Sequence, residues 1–136
     1  MKIVTSFIIS TLIFALSACC YAQNWVTVYS SQRGSWSVDV DSCYYDGNNK
    51  NIAYGLIKVV DKHAQSIQIK GLKKLIYSIE FDAFDKANHT LTIKWSQCYD
   101  EDGKPGEKIG GMVKNKPINP GSIHEEVFNA VFRYAK

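Results

Sequence analysis

The sequence predicts an α+β domain: a single antiparallel β-sheet of about six strands with a C-terminal α-helix packed on one face. Three observations carry that expectation. First, Leu75, Tyr77, Ile79, Phe81 and Ala83 alternate with Ile76, Ser78, Glu80 and Asp82. Second, after Asp85-Lys86-Ala87-Asn88 the alternation resumes as Leu91, Ile93, Trp95, Gln97 and Tyr99. A period of two belongs to a strand with one buried and one wet face, and two such runs joined by a polar turn form a hairpin. Third, the only helical spacing lies at the end of the chain. There Ile123, Val127, Ala130, Val131 and Tyr134 form one apolar stripe, widened by Phe128 and Phe132.

The bulk composition fits one folded domain. At 136 residues the chain is long enough for a core, and 46% hydrophobic with 21% charged residues is ordinary for a globular protein. A net charge of +3 is too small to mark a nucleic-acid binder.

The N-terminus reads as an export signal. Lys2 precedes a run from Ile3 to Leu16 that is apolar apart from Thr5, Ser6, Ser10 and Thr11. That length suits a secretory segment and falls short of a membrane span. Two cleavage readings follow. Leu16-Ser17-Ala18-Cys19 fits a bacterial lipobox, giving a signal peptide over residues 1–18, a domain over 19–136 and a lipid on Cys19. Cys20-Tyr21-Ala22 instead suits ordinary cleavage after residue 22, before Gln23. The lipobox is the more specific match, but the first strand begins at Trp25 and leaves almost no tether. The expected location is therefore an outer-membrane lipoprotein or, alternatively, a soluble periplasmic protein. A lipid on Cys19 would hold the domain on a membrane surface, with Cys20 left over.

The strands follow in order. Trp25–Tyr29 is a short first strand, and Arg33-Gly34 lies in the turn after it. Trp36, Val38 and Val40 alternate with Ser37, Asp39 and Asp41 as the second. Asp46-Gly47-Asn48-Asn49 is turn chemistry, since these residues tolerate positive φ. Ile52–Val60 is apolar on both faces and belongs inside the sheet, with Gly55 marking a bulge or twist. Asp61–Lys74 is the least regular stretch, with Ser66–Lys70 either a short strand or a loop. After the central hairpin, Asp100–Gly106 is a turn, and Glu107–Val113 returns as a sixth strand weakened by Gly110-Gly111. Ser122 with Glu125 three residues on forms a capping box just past Pro120-Gly121. The helix is marginal alone, so its stripe is expected to dock on the hairpin's apolar face.

No catalytic constellation emerges. His63, His89 and His124 are isolated from one another and from any cysteine pair, so no metal site is expected. Asp100-Glu101-Asp102-Gly103 resembles part of a calcium loop but lacks its ligand spacing and terminal Glu. Asp39 and Asp41 share a face, and the serines show no nucleophile elbow. The sequence therefore predicts no catalytic residue, no cofactor and no enzyme activity. Cys43 and Cys98 share strand parity in an exported chain, which predicts a disulfide. Closing that loop of about 55 residues would contribute roughly 3–4 kcal/mol in the chain-entropy model. The densest basic region is Lys62, His63, Lys70, Lys73 and Lys74. Lys70, Lys73 and Lys74, with Leu72 supplying apolar contact, are the predicted binding residues for an acidic partner.

The order of features resembles the surface-adhesin protein E family of Gram-negative bacteria. Three places carry the resemblance: Trp25-Val26 followed by Val38-Asp39-Val40-Asp41-Ser42; Tyr99-Asp100-Glu101-Asp102-Gly103; and Pro117-Ile118-Asn119-Pro120-Gly121-Ser122 leading into the helix. The resemblance covers roughly Trp25 to Tyr134. It implies a six-stranded sheet with a C-terminal helix, an envelope location that is often lipid-anchored, and binding instead of catalysis. The implied partners are host matrix proteins such as vitronectin and laminin. The alternative is an accessory lipoprotein that binds another envelope protein. The family's usual strand-to-helix disulfide is missing, because its positions read Ala83 and Phe132-Arg133-Tyr134. Cys43–Cys98 is the expected replacement staple.

Overall fold

A computed structural model describes residues 23–136. The expected signal segment, Cys19 and Cys20 lie outside the described residues. Seven strands and one helix follow in order: β1 (Trp25–Ser31), β2 (Gly34–Asp39), β3 (Tyr44–Asp46), β4 (Asn49–Asp61), β5 (Leu75–Asp85), β6 (Thr90–Asp100), β7 (Ile109–Pro117) and α1 (Ile123–Tyr134). The strands form one open antiparallel sheet in the order β1-β2-β4-β5-β6-β7, with β3 also paired to β4. Residues 62–74 contain no strand, only a 3-10 turn at Ala64–Ser66.

The extra strand arises because β4 is 13 residues long and serves two partners along one edge. β2 pairs its C-terminal half, from Val38↔Ile57 to Gly34↔Asp61, and β3 pairs its N-terminal half through Tyr44↔Tyr54 and Tyr45↔Ala53. A 3-10 turn at Val40–Ser42 separates the two. At that break the Leu56 amide donates to Ser42 Oγ (2.8 Å), so the ladder's gap leaves no orphaned donor there. Asp39 caps the turn, accepting from the Asp41 and Asn24 amides.

The two sheet faces differ from the simple alternating pattern. β4 and β5 pair from Ile52↔Asp85 to Val59↔Ser78, so Ala53, Gly55, Ile57 and Val59 share a face with Phe84, Asp82, Glu80 and Ser78. This face carries the core. Val38, Ala53, Ile57, Phe84 and Leu91 pack there with Val127, Phe128, Ala130 and Val131 of α1. Between β5 and β6 the register jumps from Phe81↔Trp95 to Asp82↔Ile93, leaving Lys94 unmatched. That bulge turns Leu91 and Ile93 toward the core and Trp95, Gln97 and Tyr99 away from it. The helix therefore covers the face opposite to Tyr77, Ile79 and Phe81, not the hairpin face that alternation alone predicts.

Local chemistry fixes α1. The Glu125 amide donates to Ser122 Oγ (3.2 Å), and the Glu125 carboxylate accepts from the Gly121 amide. The capping box is thus present, with its return bond one residue early. Gly55 marks no bulge against β5. A Cβ there would lie 3.2 Å from Val131 Cγ2 and 3.3 Å from Cys43 Sγ, so glycine lets the helix approach the sheet.

Candidate functional site

The predicted disulfide does not form. Cys43 and Cys98 are both free thiols. Both lie on the core side of the sheet, Cys43 because the 3-10 turn at Val40–Ser42 breaks the alternation of β2, but they stand at different places on it. Cys43 lies under Val131 beside Gly55, its thiol directed to the Asp39 carbonyl (3.4 Å), whereas Cys98 sits opposite Ser78 on β6. Burial pushes the Cys43 thiol up to about 11, so it is inert at neutral pH.

The predicted basic loop keeps only part of its charge free. Lys70, Lys73 and Lys74 are exposed and Leu72 is half-buried, its side chain against Gly106. Lys73 Nζ pairs with Asp102 at 2.7 Å. The Asp100 carboxylate accepts from the amides of Lys73 (3.1 Å), Asp102 (3.0 Å) and Lys104 (2.9 Å), tying the loop to the β6–β7 turn. Burial alone would raise the Asp100 pKa, but these donors and the Lys104 charge outweigh it and lower it. Asp100–Asp102 is therefore a structural clasp. Residues 65–74 line a wide surface hollow of about 740 Å³.

The histidines stay apart. His63 is exposed, His89 stacks edge-on against Phe128 (4.9 Å between centroids) and His124 is half-buried in the first turn of α1. Burial, then the Lys116 charge, lowers the His124 pKa. Among the described residues no three or more His, Cys, Asp or Glu side chains come together as a metal site.

On the core side, Asp82 is 2% exposed and its Oδ1 has no hydrogen-bond partner. Burial raises its pKa well above the usual carboxylate range and neighbouring Glu80 adds to the rise. Gly55 and Ile93 flank Asp82 across the strands, with Val131 above Gly55. A protonated acid in such apolar surroundings bears on stability.

The opposite face carries the feature that sequence reasoning misplaced. Tyr44, Tyr54, Phe81 and Trp95 form a row across β3, β4, β5 and β6. Successive ring centroids are 5.1, 5.6 and 6.0 Å apart. Tyr77 and Tyr99 stack beside the row at 4.9 Å, 12° from parallel. Lys58 Nζ sits 4.3 Å from the Tyr77 ring centroid, and Lys108 Nζ 4.0 Å from that of Trp95. Such cation–π contacts hold the ammonium groups at the surface while the stems cover the rings. None of these six rings belongs to the buried core cluster, and no helix among the described residues crosses them. Burial, then nearby Asp46 and Tyr44, raises the Tyr54 pKa, and burial then Tyr99 raises that of Tyr77. Both hydroxyls thus stay neutral and able to donate.

Tyr44 and Tyr45 also separate. Tyr44 is 46% exposed and joins the row, while Tyr45 turns to Phe132 of the helix. The signal for the row was present in the alternation of Tyr77, Ile79 and Phe81. What hid its role was the Lys94 bulge, which has no composition cue of its own.

The chain matches no family model and no curated protein.

Proposed function

We propose that this chain is a non-enzymatic, exported cell-envelope binding module, similar in role to surface-adhesin protein E, that meets a protein partner with its uncovered aromatic sheet face. The single observation behind this reading is the row Tyr44-Tyr54-Phe81-Trp95 on a face that no helix among the described residues covers. Large rigid aromatics contribute contact area at low entropic cost and dominate protein interfaces. Lys58 and Lys108 on the rings, with Lys70 and Lys74 on the loop, supply a basic margin that favours an acidic partner, while Lys73 is paired with Asp102. Host matrix proteins of the vitronectin and laminin class are the first partners to test.

The experiment is surface plasmon resonance of the purified protein over immobilised vitronectin and laminin. Trp95→Ala and Tyr54→Ala are each expected to weaken binding by about tenfold or more, as interface anchors do. Lys70→Glu with Lys74→Glu is expected to slow association at low salt and leave dissociation nearly unchanged. Binding that survives both aromatic substitutions would remove the face from the account.

A further inference from the structure

The two edges of the sheet are built differently. β7 carries Gly110, Gly111, Lys114, Lys116 and Pro117, with positive φ at Gly111 (71°) and Asn115 (49°) and two register shifts against β6. Charges, bulges and proline are the devices that stop an edge from pairing with another chain. β1 carries one register shift, at Val28, but no charge and no proline. It reads Trp-Val-Thr-Val-Tyr-Ser-Ser, seven residues without charge, proline or glycine, led by strong strand formers. Among the described residues it pairs only with β2.

From this contrast we infer that β1 is a pairing edge, and that its occupant is β1 of a second copy of this chain. The helix identifies the occupant. Beside β1 a hollow of about 250 Å³ is lined by Val26, Thr27 and Val28 on one side, with Glu126, Asn129, Ala130 and Arg133 among the helix residues on the other. Glu126, Asn129 and Arg133 are exposed and fall on one helical stripe, and neither Glu126 nor Arg133 makes an ion pair among the described residues. Antiparallel pairing of two identical edges places a two-fold axis normal to the sheet. That axis keeps both helices on the same face and runs them antiparallel. Glu126 of each copy then faces Arg133 of the other. Val26, Thr27 and Val28 line the same hollow as this stripe, so strand pairing and charge pairing meet at one place. Opposite charges seven residues apart on a stripe are self-complementary only in this antiparallel arrangement. The join also sets two aromatic faces side by side on one continuous sheet.

The test uses sedimentation equilibrium of the purified protein with four sequences: wild type, Glu126→Arg, Arg133→Glu and the double swap. All changes are at exposed positions, and each reversal opposes the helix dipole, so circular dichroism melts at concentrations where all four are monomeric should fall only a few degrees below wild type. The wild type is expected to be a concentration-dependent dimer. Each single reversal sets like charges face to face and is expected to raise the dimer dissociation constant about tenfold or more, while the double swap restores it. Backbone amides of residues 25–31 should gain hydrogen-exchange protection as concentration rises. A wild type that stays monomeric at all concentrations overturns the inference, whether by remaining alone or by pairing β1 only with a different protein. A dimer indifferent to both reversals overturns it as well. Because neither residue lies on the aromatic face, binding to matrix proteins can fail or succeed independently of this result.

Discussion

Phe84 and Phe81 stand three residues apart on one strand and make opposite predictions about the core. Phe84 is 0% exposed and meets Phe128 of the helix edge-on, with centroids 6.0 Å apart. Phe81 is half-buried between Tyr54 and Trp95 on the uncovered face. Truncating a fully buried phenylalanine removes its transfer energy and leaves a cavity, so Phe84→Ala should cost about 3–5 kcal/mol. That is a large share of the roughly 5–15 kcal/mol that holds a domain folded. Phe81→Ala removes a ring that is only partly withdrawn from water, worth about 1–1.5 kcal/mol, and disturbs two stacking contacts. Its total should be near 2 kcal/mol, with little cavity term. The gap of about 2 kcal/mol corresponds to roughly 6–10 °C in melting temperature for a domain of this size. Urea unfolding of both variants, with unchanged slopes, measures it directly. Equal losses, or a larger loss for Phe81→Ala, would refute the face assignment and return the helix to the face that alternation predicts.

Three further outcomes follow from the buried and clasped groups. A carboxyl whose folded pKa is raised contributes full stability below its unfolded value of about 3.9 and loses it as pH rises through the folded value. Burial, and then Glu80, raises the Asp82 pKa, so Asp82→Asn should stabilise the protein at neutral pH and not at pH 4; identical melts at both pH values would contradict this. Thiol titration of unreduced, unfolded protein should label both Cys43 and Cys98, and in the folded protein Cys98 should react first because Cys43 is buried; two unlabelled residues would restore the disulfide. Asp100→Ala should release the loop at residues 65–74, seen as faster proteolysis there with the sheet's exchange protection intact; an unchanged cleavage rate would mean that the clasp is not what orders it.

Much of the architecture was legible because it rests on local chemistry. The capping residues at Ser122 and Glu125, the polar turn at Asp85–Asn88 and the strand alternation each act within a few positions of the chain. β3 was missed because three residues carry no periodicity, and its existence depends on the length of β4. The choice of covered face was missed because a single unmatched residue, Lys94, reverses the parity of everything after it. Parity holds no information on distance along or across strands, and Cys43 reaches the core side with Cys98 only because the 3-10 turn at Val40–Ser42 breaks the alternation of β2. The basic loop was legible as charge, whereas the pairing of Lys73 with Asp102 depends on a turn 29 residues away.

The most direct test of the uncovered aromatic face is solvent paramagnetic relaxation, read on the assigned aromatic protons of the purified protein. A soluble, uncharged paramagnetic agent should broaden Tyr44, Phe81 and Trp95 strongly and leave Phe84 and Phe128 sharp. Sharp signals from Phe81 and Trp95 together with broadened signals from Phe84 would contradict the account.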